Sequence, residues 1–333
     1  FFSFFTSEEA TVTLLVLYSQ IFLSSLSVVI FYKLNEFFFS KKISFYSALL
    51  FSIFPIYLYS CSQISSITLQ VFLTLSFLYF FFQFIKEKNF LSIFLFSFTG
   101  GLLILLRGEF YVIFFLSIIY LIIFFKISIR NILAILLITL ITTSPYLIRN
   151  YVIFEKVTII KSFGYNLWKG NHPYALEKSL IEGAEIVDEK LQKQMNEIPK
   201  DKFYRFKYDK IFLEEAIENI KKEPLGYMSL IIRKSLSFLL IDINSPSKNY
   251  YNPLNYIPLL LIGLTSLIGI IFSDKKSYKL NYLILILIAY VGIFSTVSVL
   301  PRYKLIILPL QIIFTNVLIV YIKKKFFDKL KDN

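Results

Sequence analysis

The sequence has 333 residues, 56% hydrophobic, 19% aromatic and 17% charged, with a formal net charge of +13. Ordinary globular domains carry about 45–50% apolar residues, so this composition excludes a typical water-filled-surface enzyme and indicates an integral membrane protein. The basic residues fall in short loops between apolar runs rather than on one interleaved patch, which ties the charge to membrane topology and not to nucleic acid.

In chain order, the opening at Phe1 shows no basic segment before an apolar core, which predicts no signal peptide and reads as a fragment of a longer chain. A transmembrane helix needs roughly 20 apolar residues. Runs of about that length cover Ala10 to Tyr32, Ser44 to Cys61, Ile67 to Ile85, Phe90 to Leu106, Phe110 to Phe125 and Ile129 to Ile148. The last ends over Pro145 to Asn150, where the chain is expected to leave the bilayer. Three more runs follow at Ile257 to Phe272, Leu280 to Leu300 and Leu305 to Ile322. The predicted fold class is an all-α polytopic helical bundle of about nine spans with a helical external domain between spans. Its parts are 1–149, 150–256, 257–322 and a basic tail over 323–333.

Lysine-rich loops belong on the cytoplasmic side. Placing 33–42, 86–88 and 126–130 there puts 150–224 outside and the C-terminus inside. Residues 150–224 carry thirteen Lys/Arg and thirteen Asp/Glu, a balanced domain. Within it, Ile181 to Glu197 and Phe203 to Glu223 read as amphipathic helices punctuated by Pro199 and Pro224. Leu225 to Ile241 is apolar but carries Arg233 and Lys234 at its middle. A charge at bilayer depth costs about 2.5–3.5 kcal/mol, so this segment is expected to lie at the external interface. Tyr250, Tyr251 and Tyr256 sit where an aromatic belt would.

No phosphate loop and no HExxH motif occur. One His (His172) and one Cys (Cys61) identify no cofactor, and a divalent metal requirement stays open. The informative polar residues lie where spans meet the external face: Arg107 with Glu109, Arg149 with Asn150, the loop carrying Tyr165, Asn166, Trp168 and Asn171, and Arg302-Tyr303-Lys304. Guanidinium and ammonium groups at this depth suit a lipid-linked phosphate. The plainer readings are a local ion pair for Arg107 and Glu109, snorkelling flanks for Arg149 and Arg302, and interfacial anchors for Trp168 and the tyrosines.

Ser144-Pro145-Tyr-Leu-Ile-Arg149-Asn150, followed by Gly164-Tyr165-Asn166-Leu167-Trp168-Lys-Gly170-Asn171-His-Pro173, resembles the entry to the large external loop of GT-C glycosyltransferases. The members meant are those of the dolichyl-phosphate-mannose protein mannosyltransferase and aminoarabinose transferase type. Leu17-Tyr-Ser-Gln20, Phe54-Pro55, Gly101 to Glu109 and Leu300-Pro301-Arg302-Tyr303 extend the resemblance in order along the chain. It implies transfer of a sugar from a polyprenyl-phosphate donor to a lipid, glycan or protein acceptor on the non-cytoplasmic face, with inversion. It also implies carrier-phosphate binding by Arg149, Arg302 and Lys304, and a sugar or acceptor pocket from Arg107, Glu109, Tyr165, Asn166, Asn171 and Tyr303. The family's catalytic Asp lies in its first external loop, upstream of Phe1 here, so no catalytic residue is assigned; Glu8 and Glu9 are not promoted to that role. Ser65-Ser66-Ile67-Thr68 departs from the Thr-Glu pair many members carry. A transporter or flippase, and a lipid-linked polysaccharide ligase or polymerase, stay open as other classes, with Gly100-Gly101 and Pro309 the hints of helix breaks that a transporter would use. Richness in Ile, Phe, Lys and Asn suggests an AT-rich genome and the absence of long low-complexity loops fits a bacterium, so a bacterial cell membrane is the expected location.

Overall fold

The computed structural model describes residues 9–242, 245 and 252–331, and all regular structure among them is helical. Glu8, Tyr250 and Tyr251 lie outside the described residues. A first bundle is formed by α1 (Glu9–Asn35), α2 (Lys41–Ile53), α3 (Pro55–Ser62), α4 (Ile67–Glu87), α5 (Phe90–Leu106), α6 (Phe110–Phe125) and α7 (Ile129–Phe154). A polar domain follows with α8 (Phe163–Gly170), α9 (Pro173–Lys178), α10 (Glu189–Asn196), α11 (Tyr204–Lys222) and α12 (Pro224–Leu239). The chain then returns to apolar helices: α13 (Pro253–Ile271), α14 (Tyr278–Thr296), a 3-10 turn at Pro301–Tyr303, and α15 (Lys304–Lys331).

Among the described residues six helices, α1, α4, α7, α13, α14 and α15, are long and apolar enough to cross a membrane. The protein is therefore an all-α membrane bundle. The run expected as one span over 44–61 is two helices bent by 49°. Pro55 imposes this break, because it pushes the residue before it out of helical backbone, and Phe54 sits at φ −68°, ψ 123°. α5 and α6 have 17 and 16 residues, about 25 Å of helix against a hydrocarbon core of about 30 Å.

Two other expectations change. α7 does not stop at Pro145 but runs on to Phe154, so Arg149 and Asn150 ride its last turns. Proline removes the hydrogen bond that residue 145 would give to Ile141, and the Ser144 hydroxyl donates to the Ile141 carbonyl instead, at 3.0 Å. The helix predicted over Ile181 to Glu197 is only α10. Gly183 takes a left-handed φ of +83°, and the helix starts where Asp188 caps it by accepting from Leu191 N at 2.7 Å.

The bundle core is aromatic. Phe77 stacks on Phe96 at 4.8 Å and Phe81 on Tyr282 at 3.6 Å, while the Tyr282 hydroxyl is paired with Ser117 Oγ at 2.8 Å. Such pairs contribute about 0.5–1.5 kcal/mol beyond the area they bury. Gly100 and Gly101 lie in unbroken α5, where they admit Phe114 of α6 and Thr142 of α7; α15 likewise continues through Pro309. The lysine-bearing connections gather at one end of the bundle, with Lys279 Nζ over the Phe37 ring at 5.7 Å and Tyr120 donating to the Tyr278 carbonyl at 2.7 Å. The polar domain packs at the opposite end, against the close of α14.

Candidate functional site

A cavity of about 820 Å³ opens at that end. It is walled by the α5–α6 turn, residues 159–166 leading into α8, the stretch from Gly292 through the 3-10 turn, and Tyr146 of α7. The first two meet closely because Gly108 has no side chain. A Cβ there would strike Ile160, so this glycine lets the turn lie flat against the incoming segment.

The cavity brings together five of the residues singled out in the sequence: Arg107, Glu109, Asn166, Arg302 and Tyr303. Tyr303 organises the two arginines. Its ring is 9% exposed, packs on Phe294 at 4.4 Å, and lies 5.3 Å from the Arg107 guanidinium carbon and 5.7 Å from that of Arg302. Cations over a ring face are held by its quadrupole. Arg107 is fixed further by a relay, its Nε donating to Gln70 Oε1 at 3.3 Å and Gln70 Nε2 donating to the Tyr290 hydroxyl at 2.5 Å. Arg302 has the freer head and is exposed. Glu109 supplies the one carboxylate among the described lining residues.

Arg149 stands beside this cavity in a second concavity of about 590 Å³. Lys161 lines both. Between them sits fully buried Asn150, whose Nδ2 donates to the Thr158 carbonyl at 2.7 Å and whose Oδ1 accepts from Arg149 Nη1 at 3.2 Å and Lys161 Nζ at 3.4 Å. One side chain thus holds the 158–161 segment and both cations. Its place next to Arg149 was visible in the sequence; its role as a hub required the fold.

The other four residues singled out in the sequence lie elsewhere. Tyr165 and Trp168 belong to the small core of the polar domain with Phe212, at 5.2 and 4.6 Å. Trp168 is 1% exposed, so it is neither an interfacial anchor nor a lining residue. Asn171 is a structural clamp, donating through Nδ2 to the Leu167 and Thr296 carbonyls, each at 2.8 Å. Lys304 is buried at the start of α15 and does not line the cavity; its Nζ has no hydrogen-bond partner among the described residues.

α12, expected at an interface, packs on α14 and buries Lys234 completely. The Lys234 ammonium reaches the carbonyls of Gly170 at 2.7 Å and Val297 at 2.5 Å. Burial pushes its pKa down to about 7. Gly170 lies so close to the Val297 and Ser298 backbone that any Cβ would collide with it. Val297 lines the cavity, so Lys234 and Gly170 fix that wall from behind. The mid-helix position of this lysine marked it in the sequence as costly, and its partners explain how the cost is met.

No protein-family model, curated protein or solved structure matches the chain. Fold and site together define a polytopic all-α membrane protein with a polar, arginine-flanked cavity beneath a helical domain. The resemblance read in the sequence is what takes that class toward a reaction.

Proposed function

We propose that the protein is a membrane glycosyltransferase that moves a sugar from a polyprenyl-phosphate carrier to a lipid, glycan or protein acceptor. In this reading its cavity faces the non-cytoplasmic side of a bacterial cell membrane, all nine apolar segments cross or enter that membrane, and the C-terminus is cytoplasmic. The observation that carries it is the pair of arginines held against the Tyr303 ring, together with one carboxylate, in a cavity at the end of an apolar bundle.

The chemistry follows from charge. An acceptor hydroxyl oxygen bonds to the anomeric carbon as the bond from that carbon to the carrier phosphate breaks. The hydroxyl proton passes to a carboxylate, and the electron pair leaves on phosphate. Phosphate departs readily, so the group it needs most is a cation that meets the growing charge. Arg302, with the freer guanidinium, takes that role, and Arg107, held against the same Tyr303 ring, supports it. Glu109 and Asn166 bind hydroxyls of the sugar or acceptor.

The test is sugar release from polyprenyl-phosphate sugars by the full-length protein in liposomes, with wild type beside Arg302→Ala. Release that depends on Arg302 is expected; equal release by the variant sinks the assignment. A transporter reading draws on the break at Phe54–Pro55. It is favoured instead if intact protein moves a carrier-linked sugar across the bilayer without cleaving it.

A further inference from the structure

His172 is the chain's one histidine, and the reaction proposed above does not use it. Both of its ring nitrogens are committed to backbone. Nδ1 accepts from Tyr174 N at 3.1 Å, which caps α9, and Nε2 lies 2.8 Å from the Ile186 carbonyl. A backbone N–H only donates and a carbonyl only accepts, so this geometry selects the neutral tautomer with its proton on Nε2. A second proton would go to Nδ1 and set one N–H against another. The cap on α9 is then lost. Either the ring turns away, which breaks the Ile186 bond, or the first turn of α9 moves off the ring. Ser, Thr, Asp and Asn are the usual residues at such a position, and none of them gains a proton near neutral pH. Histidine makes this cap titratable.

The bond to Ile186 closes the base of a loop over 172–186, and that loop braces the cavity wall. The Ile181 carbonyl accepts from Val299 N at 2.9 Å, one residue beyond Ser298 of the cavity lining. Ala184 N donates to the Lys169 carbonyl at 2.9 Å, and Ile181 and Ala184 are both buried. The groups that face the imidazole are Trp168 of α8, edge-to-face at 5.3 Å, Asp188 at the start of α10 and Glu215 of α11. Asp188 already caps α10, and Glu215 pairs with Lys190 at 3.8 Å. Burial outweighs these two carboxylates and holds the ring's pKa below the ordinary histidine range. The stability supplied by the neutral ring is therefore complete above about pH 6.5 and is lost as pH falls through the folded value. Two other acids of the loop behave differently. Burial, then Asp242, raises the pKa of Glu182, so its protonation acts with the opposite sign. Glu185, paired with Lys169, is held below the ordinary carboxylate range and titrates under this window.

We propose that His172 is an acid-released latch: as a neutral imidazole it holds the 173–186 loop against the cavity wall, and on protonation it lets that loop go. The latch stands whether or not the cavity transfers sugar, since it concerns the brace behind the wall and no residue that lines it.

The experiment uses the reporter already in place. Trp168 is the only tryptophan of the chain and is buried against His172, and an imidazolium quenches indole emission. In the purified chain in detergent, Trp168 emission is expected to hold steady at alkaline pH and to fall in one step with a midpoint below about 6.5. Amide exchange over 173–186, corrected for its intrinsic rate, rises several-fold between about pH 7.5 and about pH 5.5. His172→Asn keeps a capping oxygen for Tyr174 N and has nothing to titrate, so both signals stay flat across that window. His172→Ala lacks the cap and exchanges fast over 173–186 at both pH values. The absence of an emission step in wild type overturns the proposal, as does an emission step without faster exchange, which would mean that the ring is protonated while the loop stays bound. A rise in exchange that persists in His172→Asn assigns the pH response to Glu182 or another group and overturns it as well.

Discussion

The two concavities at the polar end of the bundle share a lysine and differ in how their charge is balanced. The larger sets Arg107, Lys161 and Arg302 against Glu109 and holds both arginines near one aromatic ring. The smaller sets five cations against Asp201, which is already paired with Lys207. A mixed lining orients a neutral, hydroxyl-rich group and stabilises one charge at one point. A surplus of one sign attracts an anion with little demand on its shape. The difference is one of chemistry and not of size, and substitutions on either side should separate them.

The largest effect expected is on the mixed side. Arg302→Ala removes the cation assigned to the leaving phosphate and should lower sugar release about 10²–10³-fold, the range for losing one preorganised electrostatic donor. Glu109→Gln comes next. If Glu109 binds hydroxyls as proposed, the amide keeps an acceptor and release falls about tenfold, mostly in KM. A fall of 10²-fold or more in kcat alone would instead make Glu109 a proton acceptor. Asn150→Ala tests the shared wall. It leaves the Thr158 carbonyl unpaired, at a cost of about 1–3 kcal/mol, and frees Arg149 and Lys161 together, so sugar release should drop several-fold. Release that stays at the wild-type level would mean that Asn150 does not shape the cavity through Lys161.

Much of the bundle was legible in the sequence because apolar length is a one-dimensional signal: α1, α4, α13 and α15 fall close to where the runs predicted. Breaks and continuations were harder to read, since both involve proline. Pro55 breaks its helix, while Pro145 is absorbed because Ser144 takes over the orphaned carbonyl, and this outcome depends on a neighbouring hydroxyl. In the polar domain the sequence marked the loop that runs into the cavity wall at Asn166 but could not sort its residues. Tyr165, Trp168 and Asn171 have the composition of a binding loop, yet the first two pack on Phe212 of α11, more than forty positions away. Asn171 is spent on the Thr296 carbonyl at the far end of α14. Long-range packing decides between lining and core, and residue type alone does not.

Lys234 is tested through stability rather than turnover, and it isolates the mixed cavity's wall. Its pKa is about 7 in the folded protein and about 10.4 in an unfolded chain. Below pH 7 it is protonated in both states, and the cost of burying the charge is present in full. Between pH 7 and about 10.4 the folded form has shed a proton that the unfolded chain still holds. Stability therefore rises with pH over this window, by up to about 1.4 kcal/mol per unit from this one group. Both hydrogen bonds survive the loss, because a neutral amine still carries two N–H groups for the Gly170 and Val297 carbonyls. Lys234→Met leaves those carbonyls unpaired but removes the titration. The thermal midpoint of wild type in detergent should climb from pH 7 to pH 9 relative to that of the variant, so the gap between them widens as pH rises. A gap that stays constant would mean that Lys234 keeps its proton in the folded state, held as a cation by the two carbonyls, and that the wall behind Val297 is insensitive to pH in this range.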